Sequence, residues 1–206
     1  MDGKPLFGRL NSSRFDIEKL RRNYNENILK YPSVEYQDNK ANYVGWAVTS
    51  DDGDIHNGVK QQKQNTIKNS IKTPLCNGYL EYLIDQLEEK KLGLFRCRIL
   101  KLVDGEMVMK FHKDASIPYY RLHIPIYTNE TCKFQWRYNG AIHSAHMPAD
   151  GSVYFVRVDV DHRAINATDV ERVHFVCGTK EAGHKVLFNE SAILDDRLEV
   201  SHLSEA

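Results

Sequence analysis

Apolar residues at helical spacing predict two helices in the first part of the chain. The first predicted helix covers residues 14–29, with Ser13 as its N-cap. Its apolar stripe consists of Phe15, Ile17, Leu20, Tyr24 and Ile28. The second predicted helix covers residues 78–91, and Gly93 marks its end. The polar residues 50–73 between the helices are typical of a long loop, or of an insert that covers another part of the molecule.

From residue 94 onward, apolar residues either alternate with polar ones or form short runs between turns. Strands are predicted over residues 95–100, 107–111, 119–127, 132–138, 141–147, 153–158 and 173–177. Turn signals occur at Asp104-Gly105, Asn139-Gly140 and Asp150-Gly151. Many short strands with regular turns favour an all-β barrel or sandwich over alternating strands and helices. We therefore predict a mainly β protein with N-terminal helices.

The chain length indicates how these elements are organised. A chain of 206 residues can bury one sizeable core, whereas two full domains would be small. We predict a single domain over residues 1–206. In it, residues 1–93 form a helical and loop elaboration, residues 94–180 form the β-barrel core, and residues 181–206 form a C-terminal tail.

Composition and charge exclude several classes of protein. Basic and acidic residues number 28 each, so no net positive charge points to nucleic acid. The first residues contain no apolar run typical of a signal peptide, and no apolar stretch is long enough to span a membrane. The four cysteines lie far apart and form no CxxC pair, which favours reduced thiols over a zinc site. We therefore expect a cytoplasmic protein with no nucleic-acid or membrane partner.

The residues that point to chemistry lie in the β-rich part of the chain. His112 and Asp114 form a His-x-Asp unit just after a predicted strand, and His162 comes 50 residues later, after another. Two histidines and one carboxylate can occupy one face of an Fe(II) ion and leave the other face open for a co-substrate and O₂. Arg172 opens the next strand, and its planar guanidinium suits a carboxylate ligand.

The individual residues are weak signals, whereas their order is specific. One His-x-Asp pair arises easily by chance among nine histidines, and a lone strand histidine is more often a core or surface residue. Here each residue falls at a predicted strand edge in the order that the site requires. His143 and His146 do not suggest a second metal site, because their spacing would need a helix where the local pattern is extended.

The β-rich part resembles the aspartyl/asparaginyl β-hydroxylase family, which includes free-proline cis-hydroxylases. The segments that carry the resemblance are, in order, residues 96–105, His112-Lys113-Asp114, residues 121–129, residues 147–151, residues 162–166 and Arg172-Val173-His174. Where the family often has Glu and Trp after the turn glycine, this chain has Ser152-Val153-Tyr154. This departure concerns the substrate pocket more than the metal site.

The resemblance implies a fold and a metal site. The fold would be a double-stranded β-helix, the barrel also called a jelly roll or cupin. His112, Asp114 and His162 would be the catalytic iron ligands, with Fe(II), 2-oxoglutarate and O₂ as cofactors and co-substrates. Each ligating histidine should donate its other N–H to a carbonyl or a carboxylate, and Asp159 and Asp161 are nearby candidates.

The resemblance also implies how the organic ligands are held. Arg172 would pair with the C5 carboxylate of 2-oxoglutarate, and His123 would assist at the co-substrate. Arg121 would line the substrate pocket and could contact a substrate carboxylate. Asn166 would have a structural role or support the iron ligands.

The function implied is hydroxylation of a free amino acid or an amino-acid side chain, with release of succinate and CO₂. Two other classes stay open. One is a non-catalytic cupin-like barrel that binds a ligand or partner, and the other is a different metal-dependent enzyme on the same barrel. A barrel alone decides nothing between them, because such folds host many functions. Binding of iron and 2-oxoglutarate would separate the three.

Overall fold

The computed structural model shows a mainly β protein with three short α-helices. The described residues are 3–35, 43–59, 70–102, 107–114 and 120–202. The helices are α1 (Ile17–Asn23), α2 (Gly78–Glu89) and α3 (Glu181–Asn189), with a π-helical turn at Tyr24–Ile28 and a 3₁₀ turn at Asp195–Arg197. No helix in these ranges has both the length and the apolar character needed to cross a membrane.

Fifteen strands are present in the described residues. They are β1 (Phe7–Arg14), β2 (Val34–Glu35), β3 (Tyr43–Ala47), β4 (Thr49–Ser50), β5 (Ile71–Lys72), β6 (Leu94–Leu102), β7 (Met107–Val108), β8 (Tyr120–Tyr127), β9 (Lys133–Tyr138), β10 (Ala141–His146), β11 (Ser152–Arg157), β12 (Asp161–Asn166), β13 (Arg172–Thr179), β14 (Ser191–Ile193) and β15 (Glu199–His202).

Two antiparallel sheets form the body of the fold. The large sheet has the order β14-β1-β11-β8-β13-β6-β3-β2, and the small sheet has the order β15-β10-β9-β12-β7. From β6 to β13 the chain passes repeatedly between the sheets, with β6, β8, β11 and β13 in the large one and β7, β9, β10 and β12 in the small one. This winding is that of a jelly roll, so the predicted fold class is confirmed.

Apolar side chains fill two layers, one on each face of the large sheet. Between the two sheets, Phe134 and Trp136 of β9 pack with Val156 of β11. On the opposite face, Leu20 of α1 and Leu83 of α2 cover the large sheet. Because β13 is covered on both faces, all eight of its residues are buried. The site described below lies in the layer between the sheets.

The second predicted helix is confirmed, and the first begins later than predicted. α2 covers Gly78–Glu89, and Gly93 follows with a positive φ of 62°. α1 starts at Ile17, and its N-cap is Asp16, whose carboxylate accepts hydrogen bonds from two backbone N–H groups of the first turn. Ser13, predicted as the cap, lies instead in β1.

The N-terminal residues contain strands that the sequence pattern did not predict. β1 pairs with β11 and β14, and β3 pairs with β6, so residues before 94 extend the large sheet on both sides. The register of β1 shifts between Arg9 and Arg14, which disrupts the alternation that would have marked it as a strand. The helical and loop character expected for residues 1–93 is therefore only partly correct.

The segment expected to be a C-terminal tail also carries regular structure. It contains α3, β14 at the edge of the large sheet and β15 at the edge of the small sheet. The predicted loop over residues 50–73 contains β5, which pairs with β4, whereas residues 60–69 lie outside the described part of the chain. The division of the domain at residues 94 and 180 stays a proposal.

Candidate metal centre

The fold brings His112, Asp114 and His162 together between the sheets. One ligand atom from each lies within 4.8 Å of the others. Backbone hydrogen bonds set this arrangement, because His112 and His162 exchange N–H···O bonds of 3.0 and 2.9 Å. The Asp114 N–H donates to the carbonyl of Val158 at 3.0 Å. His162 lies within β12, whereas the sequence pattern predicted that it would follow a strand.

Backbone carbonyls orient both imidazole rings. Nδ1 of His112 lies 2.9 Å from the carbonyl of Lys110, and Nδ1 of His162 lies 2.9 Å from the carbonyl of Val160. Donation from Nδ1 leaves each Nε2 with a free lone pair directed at the Asp114 carboxylate, at 4.0 and 3.8 Å. The sequence predicted that each histidine would donate its other N–H to a carbonyl or a carboxylate. In both cases the acceptor is a backbone carbonyl, so this prediction is confirmed.

Asp159 and Asp161, the predicted acceptors of the histidine N–H groups, do not bind either histidine. Asp159 accepts a 2.6 Å hydrogen bond from Nε of Arg157, a buried arginine of β11. Asp161 lies opposite Arg137 in the register between β12 and β9. Naming these two residues as acceptors was therefore wrong, because a carbonyl two residues before each histidine is already in reach.

The electrostatics of the site favour metal ligation. Burial alone would raise the pKa of Asp114, but the charge of Arg121 together with those of His162, His112 and Arg98 outweighs this, and the pKa is lowered. An ion pair of 2.5 Å joins the two side chains. Burial lowers the pKa of His162 to about 4, so its imidazole is neutral at physiological pH. The ring of Phe134 stacks on His162 with centroids 5.4 Å apart and excludes water from one face.

One narrow pocket connects His112 and His162 with the other predicted site residues. It is lined by Tyr43, Leu100, Met109, His112, Arg121, His123, Phe134, His162, Ala164, Arg172 and Val176. His123 and Arg121 come from β8 and Arg172 from β13, both in the large sheet, whereas His162 comes from the small sheet. Residues of both sheets thus line the pocket, and they include all the residues that the sequence assigned to ligand binding except Asp114.

A buried arginine–histidine chain forms the wall of the pocket away from Asp114. Nη2 of Arg172 lies 3.2 Å from Nδ1 of His174, and Nδ1 of His174 lies 3.3 Å from Nδ1 of His123. Burial, followed by the charge of Arg172, lowers the pKa of both histidines well below 6.5. Both rings are therefore neutral, and within the described residues their Nε2 atoms are buried without a hydrogen-bond partner.

His174 was part of a matching motif, but the sequence assigned no role to it. Because Arg172 can only donate, Nδ1 of His174 is an acceptor and its proton sits on Nε2. His174 therefore positions Arg172 and touches His123. The period-two spacing from Arg172 was the signal that could have identified it. Tyr43, from the unpredicted strand β3, is a second pocket residue that the pattern missed.

Asn166 has the structural role that was expected for it. Its side chain is fully buried at the end of β12. Nδ2 donates to the carbonyl of Val170 at 2.8 Å, and Oδ1 accepts a hydrogen bond from Sγ of Cys132. Asn166 thus holds the turn that leads from the strand of His162 to the strand of Arg172.

Comparison with known proteins identifies the fold. No family model and no curated protein sequence matches this chain. Among solved structures, it is similar to an oxidoreductase of the 2OG-Fe(II) oxygenase family from Burkholderia pseudomallei, with a TM-score of 0.55, 14% identity, and 80% of this chain and 79% of that protein covered. It is also similar to a Pseudomonas putida prolyl-4-hydroxylase, with a TM-score of 0.52, 10% identity and coverages of 86% and 93%. The chain therefore has the fold of these 2OG-Fe(II) oxygenases.

Proposed function

We propose that this protein is an Fe(II)- and 2-oxoglutarate-dependent oxygenase that hydroxylates an amino acid or an amino-acid side chain. The observation that carries the proposal is the convergence of His112, Asp114 and His162 beside a pocket that Arg172 also lines. The shared fold supports it, since both structural relatives carry names of this enzyme class or of one of its members.

The three side chains fit an iron site in their chemistry. Two imidazole nitrogens and one carboxylate oxygen are the donor set of non-haem Fe(II) oxygenases. Both Nε2 atoms face the carboxylate, and both Nδ1 atoms are already engaged by carbonyls. Asp114 is ionised and His162 is neutral, so neither has to lose a proton before it binds a metal.

The opposite wall fits 2-oxoglutarate. Arg172 would hold the C5 carboxylate, because a buried guanidinium binds a carboxylate strongly where water is excluded. His123, which lines the same pocket, would lie beside this ligand. Bound iron and 2-oxoglutarate would together supply activation of O₂ for hydroxylation of a C–H bond, with succinate and CO₂ as products. The chain's own residues orient the ligands and exclude water.

Within this class, we assign the protein to the aspartyl/asparaginyl β-hydroxylase family. Support comes from the pairs Arg121-x-His123 and Arg172-x-His174, whose side chains lie in or beside the same pocket. Arg121 is the residue that would meet a substrate carboxylate. It also holds Asp114, so the substrate would be placed directly beside the metal ligands.

The test is an anaerobic titration followed by visible absorption. Fe(II) and then 2-oxoglutarate are added to metal-free protein, and the charge-transfer band of the iron chelate is recorded. The band should require both components and should be absent from His162→Ala. His143→Ala, which changes a half-buried histidine of β10 outside the pocket, is the matched control and should keep the band.

The opposite outcome would point to the remaining classes. If folded wild-type protein shows no band, the oxygenase proposal fails, and a non-catalytic or other-metal barrel takes its place. A band that survives in His162→Ala would instead remove His162 from the ligand set. If the band appears as expected, release of succinate with a panel of amino acids and peptides identifies the substrate.

A further inference from the structure

Two arginines and one phenylalanine form a group on the outer face of the small sheet. The guanidinium carbons of Arg137 and Arg163 each lie 4.3 Å from the centre of the Phe111 ring. We refer to Phe111, Arg137 and Arg163 as the arginine–phenylalanine cluster. Nothing in the proposed oxygenase site uses it, since none of the three lines the pocket.

Strand alternation places the cluster on the side away from the pocket. In β12, His162 is buried between the sheets, so Arg163 points to the outer face. In β9, Trp136 is buried and Arg137 is exposed in the same way. Phe111 directly precedes His112 at the edge of the small sheet, beside β12. The cluster and the metal ligands thus occupy opposite faces of the same strands.

The cluster carries positive charge that is not neutralised within the described residues. Neither arginine is ion-paired with a carboxylate there, and Nε of Arg163 donates to the neutral side chain of Gln135 at 2.8 Å. Asp161 lies opposite Arg137 in the strand register but outside ion-pair distance. Burial and then the charge of Arg137 lower the pKa of Arg163, as expected for two like charges around one ring.

Two lysines enlarge this positive surface. Lys110 and Lys113 are exposed, lie within two residues of Phe111, and form no ion pair among the residues that the structure describes. The formal net charge of the whole chain is zero, so two guanidinium groups around one ring, with two exposed lysines close to that residue in the chain, are a local excess of positive charge. An excess of this kind attracts a partner of opposite charge.

The cluster borders the exposed side of the proposed metal centre. The His112 side chain is 34% exposed, whereas those of Asp114 and His162 are 5% and 3% exposed. Access to the metal is therefore on the side of His112, whose neighbour in the chain is Phe111. A polypeptide that places one side chain in the pocket would pass this edge with its flanking residues.

We propose that the arginine–phenylalanine cluster is a docking site for an acidic segment of a polypeptide substrate. Guanidinium groups bind carboxylates bidentately, and the Phe111 ring offers apolar contact for the stems of Asp and Glu side chains. An acidic peptide suits a short group of cations better than a nucleic acid, which needs a longer basic surface. The role of the peptide as a substrate rests on the proposed oxygenase function, whereas the docking itself does not.

The experiment measures binding of the full chain to labelled hexaglutamate by fluorescence anisotropy, without iron or 2-oxoglutarate. Wild-type protein should bind the peptide at low salt and lose it as salt is raised. Arg137→Gln/Arg163→Gln should weaken binding at least tenfold. Arg22→Gln/Lys185→Gln is the matched control, because it removes two exposed charges on helices remote from the cluster, and it should bind as wild type does.

Several results would overturn the proposal. These are absence of hexaglutamate binding at low salt, equal weakening in the control variant, or tighter binding of a single-stranded oligonucleotide than of hexaglutamate. Melting temperatures of the variants show whether they are folded, and the salt titration of wild-type protein tests the charge dependence without any variant. Docking without an iron chelate band would contradict the oxygenase function and leave the docking site intact.

Discussion

Asp114 and Arg121 form an ion pair of 2.5 Å between the two sheets, and their side chains are only 5% and 8% exposed. The arginine stands on β8 of the large sheet, and the aspartate follows β7 of the small sheet. Burial alone would favour the neutral form of this carboxylate, and the pair is the largest of the contributions that keep it ionised. A side chain proposed for substrate contact therefore also sets the charge state of a proposed metal ligand.

Replacing Arg121 with Met should destabilise the metal-free protein by roughly 3–5 kcal/mol, the usual effect of removing one partner of a buried ion pair. The isolated carboxylate must then either stay charged in a poor environment or take up a proton. Urea unfolding measures the loss. A divalent metal such as Mn²⁺ should restore part of the stability, because it supplies the missing positive charge beside Asp114.

The double variant Arg121→Met/Asp114→Leu is the control for this prediction. Removing both partners leaves no isolated charge, so it should be less destabilised than Arg121→Met alone. Equal stability losses in the single and double variants would mean that Arg121 acts through packing, and that its charge does not determine the state of Asp114.

Arg172→Ala should weaken 2-oxoglutarate binding by about 2–5 kcal/mol, the range for truncating one partner of a buried charge pair. Calorimetry with Mn²⁺ in place of Fe²⁺ measures this affinity without turnover. Arg163→Ala is the control, since that arginine is on the outer face of the neighbouring sheet and should leave the affinity unchanged. An unchanged affinity in Arg172→Ala would remove its proposed role.

His123 and His174 should make the metal-free protein sensitive to acid. Both are buried as neutral rings, with pKa values well below the value of 6.5 that applies in the unfolded chain. Below about pH 6.5 the unfolded chain therefore takes up protons that the folded protein does not. The free energy of unfolding should decrease as the pH falls, by up to about 1.4 kcal/mol per pH unit for each histidine.

Unfolding by urea at pH 8 and at pH 5 tests this prediction. The variant His123→Gln/His174→Gln should lose less stability between the two pH values than wild-type protein does. His143→Gln changes a histidine outside this buried chain and should behave as wild type. If the double variant keeps the full acid sensitivity, the buried histidines are not its source.

The sequence predicted the strands of the core because their apolar alternation is strong, but it missed β12. In that strand the inward positions include His162, so a proposed metal ligand lies where the pattern expects an apolar residue. At such a position a polar side chain needed for the site replaces an apolar one, so the alternation that would identify the strand is lost. β1 was missed for another reason, since its register shifts between Arg9 and Arg14 and this disrupts its apolar alternation.

The members of the site were predictable, whereas their mutual contacts were not. His112, Asp114, His162 and Arg172 could be named from spacing and residue type. The ion pair of Asp114 with Arg121 depends on how closely the two sheets approach, which no local pattern encodes. The carbonyl contacts of both histidines likewise depend on the backbone conformation of the two preceding residues.

Gly151 shows a close backbone approach that a single methyl group would disrupt. It lies in the turn between β10 and β11 with φ of 83°, and its carbonyl accepts a 2.8 Å hydrogen bond from the N–H of Phe15. A Cβ at Gly151 would lie 1.9 Å from the Phe15 carbonyl oxygen. Since backbone atoms cannot rotate away as a side chain does, the whole contact between this turn and the segment before α1 would have to open.

Gly151→Ala should therefore reduce the free energy of unfolding by more than about 3 kcal/mol, at the upper end of single-substitution effects. Gly140→Ala is the matched control, because Gly140 has a similar φ of 74° but no atom within 4 Å of the added methyl group. The control should show only the strain of a left-handed residue, about 1–2 kcal/mol. Urea unfolding of both variants separates conformational strain from steric overlap. Equal losses of unfolding free energy in the two variants would mean that the Phe15 segment moves aside without cost.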